Sequence, residues 1–211
     1  MSLTSRCFPM LALVAAFFVG CSSDGKPAPE YSNAVATLTE VQTEVSNAKN
    51  ASANVSSALT KLQHTSDVKK AFAEYSDAVA KMDYHAGKVK DRWMDMQSRR
   101  EEYQFKWNDE MSKITDPSVK AAIESRRAEL TKHVKDVTAA SKAVSEAYKP
   151  YKTKIQEIQK ALTLDPTAQA VTLLKPAITE AQNDQKDLNA KISRLQTLLD
   201  NLMPEVKARR G

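Results

Sequence analysis

The sequence predicts an all-α protein: an elongated antiparallel helical bundle, or coiled coil, of four long helices. Three observations lead there. Apolar residues recur at alternating spacings of three and four, which is the 3.5-residue repeat of a left-handed helical seam. Only 4 glycines occur among 211 residues, and 42% of the chain is hydrophobic against 27% charged, a folded and helix-rich composition. The breaks between the periodic runs are short and carry helix-capping residues, so consecutive helices must fold back on one another.

The four runs can be read directly. The first passes through Leu38, Val41, Val45, Ala48, polar Ser52, Val55, Leu59 and Leu62. The second, from Asp67 to Ile114, runs from Val68 through Phe72, Tyr75, Val79, Met82, Ala86, Val89, Trp93 and Met96 to polar Arg100, then Tyr103 and Trp107. At 1.5 Å per residue that helix is ~70 Å long. The third run holds Leu130, Val134, Val137, Ser141, Val144, Tyr148, Tyr151, Ile155, Ile158 and Leu162. The fourth holds Val171, Leu174, Ile178, Ala181, Gln185, Leu188, Ile192, Leu195, Leu199 and Leu202. Gln63 to Asp67 offers N-caps for the second helix, and Asp116-Pro117 and Asp165-Pro166 each read as an Asp cap before Pro at the first helical position. Pro150 and Pro176 fall inside the third and fourth runs and predict kinks. The second and third helices should project as a hairpin past the start of the first, with its tip at the N-terminal end of the rod.

The N-terminus is of a different kind. Met1 to Arg6 is polar with one positive charge, and Cys7 to Val19 is apolar apart from Pro9. At about 13 residues the run is shorter than the ~20 needed to cross a bilayer, and it reads as the core of a secretory signal. Phe18-Val19-Gly20-Cys21 resembles a bacterial lipobox, so residues 1–20 are expected to be a lipoprotein signal peptide and Cys21 the lipidated first residue. Ordinary cleavage leaving Cys21 as a free thiol is the competing reading. Acyl chains contribute ~0.8 kcal/mol per buried CH2, enough together to hold the protein on a membrane with no spanning helix. Residues 21–30, with Ser22 to Glu30 reading SSDGKPAPE, have linker composition. Residues 31–207 form the expected bundle. Ser22, rather than Asp, follows the cysteine, which resembles the pattern for the outer membrane, facing the periplasm.

Two stretches resemble a known family. KWNDEMSKITDP, Lys106 to Pro117, and PYKTKIQEIQKALTLDPTAQAV, Pro150 to Val171, are similar to the distinctive segments of the bacterial family called domain of unknown function 2959, whose members are predicted coiled-coil lipoproteins. Trp107, Asp109, Glu110, Ile114, Pro117, Pro150, Ala168, Gln169 and Ala170 carry the likeness. The chain departs from the family at Gln159 to Thr167, where the family has an apolar segment ending in Lys-His-Asn-Leu-Asn. The resemblance implies a coiled-coil envelope lipoprotein and no activity.

The chain is expected to be no enzyme, to need no cofactor and to hold no metal. It carries no phosphate loop, dinucleotide fingerprint, zinc-protease motif or nucleophile elbow. His64, His85 and His133 fall at unrelated levels of an antiparallel register, whereas a metal site needs clustered ligands. A net charge of +5 from 31 basic and 26 acidic residues gives nucleic-acid binding little support. The sharpest candidate surface is the hairpin tip, with Arg100, Tyr103, Lys106, Trp107, Lys113 and Lys120 as residues for an envelope-protein partner. Its alternative is a solvated hairpin laced by pairs one turn apart, with the Trp93 to Trp107 stripe as core. Lys207 to Arg210 is a small basic cluster for headgroups or a helix terminus. The expected role is a non-enzymatic scaffold, spacer or adaptor on the membrane, as monomer or homodimer. The alternative is an envelope module for an apolar ligand or lipid, opened by the polar seam residues Ser52, Arg100, Ser141 and Gln185.

Overall fold

The computed structural model describes residues 29–207, and the side chains of these except 29–34, 100–104, 106, 126, 129, 130 and 205–207. The expected signal peptide, Cys21 with residues 22–28 of its linker, and the basic end from Ala208 lie outside the described residues, while Pro29 and Glu30, expected in the linker, already belong to α1. What is described is an all-helical bundle of α1 (Pro29–His64), α2 (Val68–Lys113), α3 (Pro117–Leu164), α4 (Ala168–Leu173) and α5 (Lys175–Lys207).

Each boundary has a local cause. The Asp67 side chain accepts the Lys70 N–H at 3.1 Å and starts α2. Asp116 Oδ1 accepts the N–H groups of Ser118 at 2.8 Å and Val119 at 3.2 Å, and the Ser118 hydroxyl at 2.7 Å. These bonds, the Ser118 hydroxyl foremost, hold the Asp116 carboxyl below the usual carboxylate range. Pro117, at the first turn of α3, costs no intrahelical bond there.

Two expectations about the fourth run are corrected. Asp165 is not the cap of a helix beginning at Pro166: it closes α3, donating its N–H to the Ala161 carbonyl at 3.1 Å. Thr167 is the N-cap, its hydroxyl oxygen accepting the Ala170 N–H at 3.2 Å. The run is then divided at Leu174 into α4 and α5. Pro176 has no N–H for the Thr172 carbonyl and its ring crowds that group, while flanking bonds persist from Leu174 to Ala170 and from Ile178 to Leu174, both 2.9 Å. Pro150, by contrast, leaves α3 unbroken. It sits on the exposed side of the helix, where water can serve the carbonyl that its ring deprives of a donor.

The seam residues form one core. Val41, Val55, Leu59, Val134, Ile155, Leu162, Ile178 and Leu199 are completely buried within it. Burying one such side chain stabilises the fold by ~1.5–3 kcal/mol, whereas exposed ion pairs such as Arg92 with Glu40 contribute ~0–1 kcal/mol. Packing therefore decides the fold, and polar contacts set its register. Gln42 meets Asp200 at 2.8 Å, Lys49 meets Ser193 at 2.9 Å, Ser52 meets Asn189 at 2.8 Å and Gln182 meets Thr60 at 3.0 Å. α1 and α5 thus run in opposite senses. The pairs Glu40 with Arg92 and Lys61 with Glu74 give α1 and α2 the same relation.

α1 packs along both α2 and α5, and α3 packs along α5, but α2 and α3 barely touch. Buried tyrosines carry what contact there is at one level: the Tyr75 hydroxyl donates to the Ile155 carbonyl at 2.6 Å. Desolvation pushes the phenols of Tyr75, Tyr148 and Tyr151 well above the ordinary tyrosine range, with Tyr151 adding to the shift at Tyr75 and an Asp83 hydrogen bond to that at Tyr148. The unfolded chain ionises its tyrosines near pH 10, while the folded chain keeps these three protonated. Their contribution is therefore fully present below about pH 10 and is lost as pH rises from there toward the folded values. Denaturant titrations between about pH 9 and 12 are expected to show falling stability, with a shallower fall in Tyr75→Phe, which has one fewer buried phenol to ionise on unfolding.

Candidate functional site

Small residues on three helices coincide at one level of the bundle. α1 contributes Ala48 and Ser52, α2 contributes Ala86, and α3 contributes Ser141 and Ser145. Their larger neighbours cannot fill the space, and a cavity of about 250 Å³ remains. Val45 of α1 and Leu188, Ile192 and Leu195 of α5 form its buried floor. Ala86, Val89, Ser141, Val144 and Ser145 are half-buried, so the cavity opens between α2 and α3, where the backbones stand apart.

The void has built ends. At one, the Asp83 carboxylate of α2 accepts the Tyr148 hydroxyl at 2.8 Å and the Gln156 amide at 3.2 Å and pairs with the Lys152 ammonium at 3.0 Å, all from α3. The Lys152 ammonium also lies 5.9 Å from the Tyr148 ring centroid. At the other, the Trp93 indole, 8% exposed, spans from α2 into the core. Ser52, 1% exposed, is no orphan: its hydroxyl lies 2.9 Å from the Lys49 carbonyl and 2.8 Å from the Asn189 amide oxygen. Its backbone carbonyl receives a long 3.4 Å contact from the Tyr151 hydroxyl. An enclosed apolar void of this size would cost roughly 6 kcal/mol at ~24 cal/mol per Å³, a large share of a typical ~5–15 kcal/mol net stability. An opening to solvent, or an occupant, relieves that cost.

In the hairpin tip Trp107 is 7% exposed, the Arg127 guanidinium lies 5.1 Å from its ring centroid, and Met111 is buried one turn on, the packing that the core reading of the Trp93 to Trp107 stripe describes. The cation covers the ring face, so the sole seam aromatic described in the tip is spent on joining α2 to α3. Lys113 is exposed and pairs with Asp109 and Glu110, each at 2.8 Å; the Asp109 bond first, then the Glu110 bond, raise its ammonium above the usual lysine range. Lys120 is exposed on α3. The side chains of Arg100, Tyr103 and Lys106 lie outside the described residues. Sequence reasoning missed Phe105, 79% exposed on α2, and half-open Val119 on α3; the available signal was that Phe105 falls between the seam positions Tyr103 and Trp107.

The histidines stand apart. His85 Nδ1 is 3.2 Å from a Glu44 carboxylate oxygen across α1 and α2, His64 ends α1 and His133 lies on α3. Among the described residues no group of three or more His, Cys, Asp and Glu side chains comes together, and no helix is long and apolar enough to cross a membrane.

No family model, curated protein or solved structure matches the chain.

Filling the cavity separates a packing feature from a structural necessity. Ala86→Leu keeps helix propensity and adds apolar volume, and is expected to stabilise the protein by about 0.5–2 kcal/mol, raising Tm by about 2–6 °C at this chain length, read by thermal melts of the helical circular dichroism signal. Asp83→Ala leaves Tyr148, Lys152 and Gln156 without their acceptor and should lower Tm in the same assay.

Proposed function

We propose that the chain is a non-enzymatic bacterial envelope lipoprotein: an elongated antiparallel bundle of four long helices, tethered through lipid on Cys21 to the outer membrane and facing the periplasm, that acts as scaffold, spacer or adaptor. The junction FFVGC and the resemblance to the coiled-coil lipoproteins of domain of unknown function 2959 support the tether. The motif content of the sequence supports a role without catalysis or cofactor.

The observation that carries the scaffold role is the reach of α2 and α3. Counting equal distances from the Glu40 and Arg92 pair, α1 starts beside the stretch around Tyr103. α2 continues to Lys113, roughly 15 Å further at 1.5 Å per residue. Beyond the shorter helices, then, a two-helix arm is held together by Trp107 and Arg127 and shows Phe105 and Val119 to its surroundings. Apolar side chains there, set among charges of both signs, suit a protein partner more than free solvent.

A second reading is favoured by the cavity. A mid-bundle opening with an apolar floor suits a module that binds an apolar ligand, and two of its wall residues, Ser52 and Ser141, are seam positions where the sequence interrupts its own apolar pattern.

The tether and the arm are tested separately. Cys21→Ala should move the protein from the membrane to the soluble fraction of its host, and unchanged membrane association would remove the anchoring claim. Photo-crosslinkers at Lys113 and Lys120 in the native host should capture one recurrent envelope protein, with no such capture from the solvent face of α5; adducts with lipid alone would argue against an adaptor.

A further inference from the structure

We propose that the mid-bundle cavity binds a neutral single-chain amphiphile, a medium-chain alcohol whose hydrocarbon tail fills the space between α2 and α3 and whose hydroxyl is held at the mouth by Ser141 and Ser145. The proposal rests on the second reading above, that the cavity takes an apolar ligand, and names the ligand's class.

The floor and the size select the tail. Val45, Leu188, Ile192 and Leu195 make the floor aliphatic, a surface that accepts hydrocarbon and leaves a charged ligand body without partners. The volume of about 250 Å³ is roughly eight times the ~30 Å³ share of a water molecule. A methylene is close to water in volume, so a tail of about eight carbons fits. The lining runs from Ser141 to Tyr148 on α3 and from Leu188 to Leu195 on α5, ~10 Å along the bundle at 1.5 Å per residue. Spread over that length the space is narrow, the form of one chain rather than of a fused ring system.

The polar lining selects the head, and most of it is already engaged. The Tyr148 hydroxyl donates to Asp83, the Ser52 hydroxyl lies against Lys49 and Asn189, and Lys90 has an interaction partner within the protein, so it is given no part. Ser141 and Ser145 differ: among the described residues no hydrogen bond holds either hydroxyl. Elsewhere on α3 the Thr131 and Thr138 hydroxyls each donate to the carbonyl one turn back, at 2.8 Å. The Trp93 indole, 8% exposed, adds an N–H that no described residue accepts, where a buried indole ordinarily finds an acceptor. The Asp83 to Tyr148 contact sets the register and brings Trp93 within about one turn of the level of Ser141. Serines four apart on one helix face have Cβ atoms ~5–6 Å apart, and an O–H···O bond is ~2.8 Å long, so one ligand oxygen between them reaches both. A hydroxyl can donate to one serine and accept from the other. A carboxylate or an ammonium would bring a charge that these open groups, all neutral, leave unbalanced.

Trp93 provides the readout. With Trp107→Phe as background, Trp93 is the remaining tryptophan, and its emission reports occupancy of the cavity directly. The full-length chain, carrying Cys21→Ala so that no acyl group of its own competes, would be titrated with octan-1-ol, octanoate and octylammonium, each below its solubility or micelle limit. The expected result is a saturable 1:1 emission change with octan-1-ol, and binding weaker by roughly tenfold or more with either charged probe. Each methylene removed from the alcohol should weaken binding about fourfold. Ser141→Ala together with Ser145→Ala should weaken octan-1-ol binding roughly tenfold, and Ala86→Leu, or Ala48→Leu if the former loses helicity, should abolish it. A charged probe that binds as tightly as the alcohol, or an octan-1-ol affinity unchanged by the two serine replacements, overturns the hydroxyl head while leaving a cavity that binds apolar ligands. Absence of a saturable response to all three probes overturns both, as does a response that survives in the filled variants.

Discussion

Much of this structure depends on the Asp83 carboxylate, which bridges two helices whose backbones do not pack. α1 and α5 are zipped together by Gln42, Lys49, Ser52 and Thr60 meeting Asp200, Ser193, Asn189 and Gln182. α2 leans on α1 and α3 on α5, so the fourth wall of the bundle is left to side chains. Asp83 gathers a hydroxyl, an ammonium and an amide from three successive turns of α3. Bonds to a charged acceptor are roughly twice as strong as neutral ones, and at this half-buried site they outweigh the exposed pairs elsewhere. Between this clamp and the Trp107 and Arg127 contact nearer the tip, α2 and α3 are free to stand apart, and the cavity lies in that interval.

A well-packed alternative was within reach of the same backbone. Leu or Ile at Ala86 or Ser141 continues the heptad pattern as well as the neighbouring Val89 and Val144 do, and would add buried apolar contact. Cores are ordinarily filled to crystal-like density, and the layers on both sides obey that: Tyr75, Tyr151 and Ile155 on one side and Val41, Val134 and Leu199 on the other are completely buried. The loss of packing at this level, between layers filled with large side chains, is what makes the cavity worth assigning to a ligand.

How much of this could be read from the sequence follows from the range of each interaction. The helices and the caps at Asp67 and Asp116 were legible because period and capping are local, set within one turn. The small residues Ala48, Ser52, Ala86 and Ser141 were visible as interruptions of each seam, but their meeting at a single level depends on the register between helices, which short loops leave open by a turn either way. Asp83 was illegible: it lies beside the seam among many other charges, and only the approach of α3 makes it a node. Pro176 announced a disturbance, yet whether a proline kinks or divides a helix depends on the bonds that surround it, and here Thr167 had already begun a separate short helix. Trp107 was open to either reading, core stripe or partner surface, because the residue that covers its ring, Arg127, lies twenty residues later in the chain.

The opening between α2 and α3 is tested most directly by xenon, which enters apolar cavities and leaves filled cores alone. A crystal of the protein pressurised with xenon should show a xenon peak among Ala86, Ser141 and Leu188, with the Asp83, Tyr148 and Lys152 contacts intact. A bundle with no xenon there, and with α2 and α3 closed against each other along Ala86 and Val144, would contradict the account.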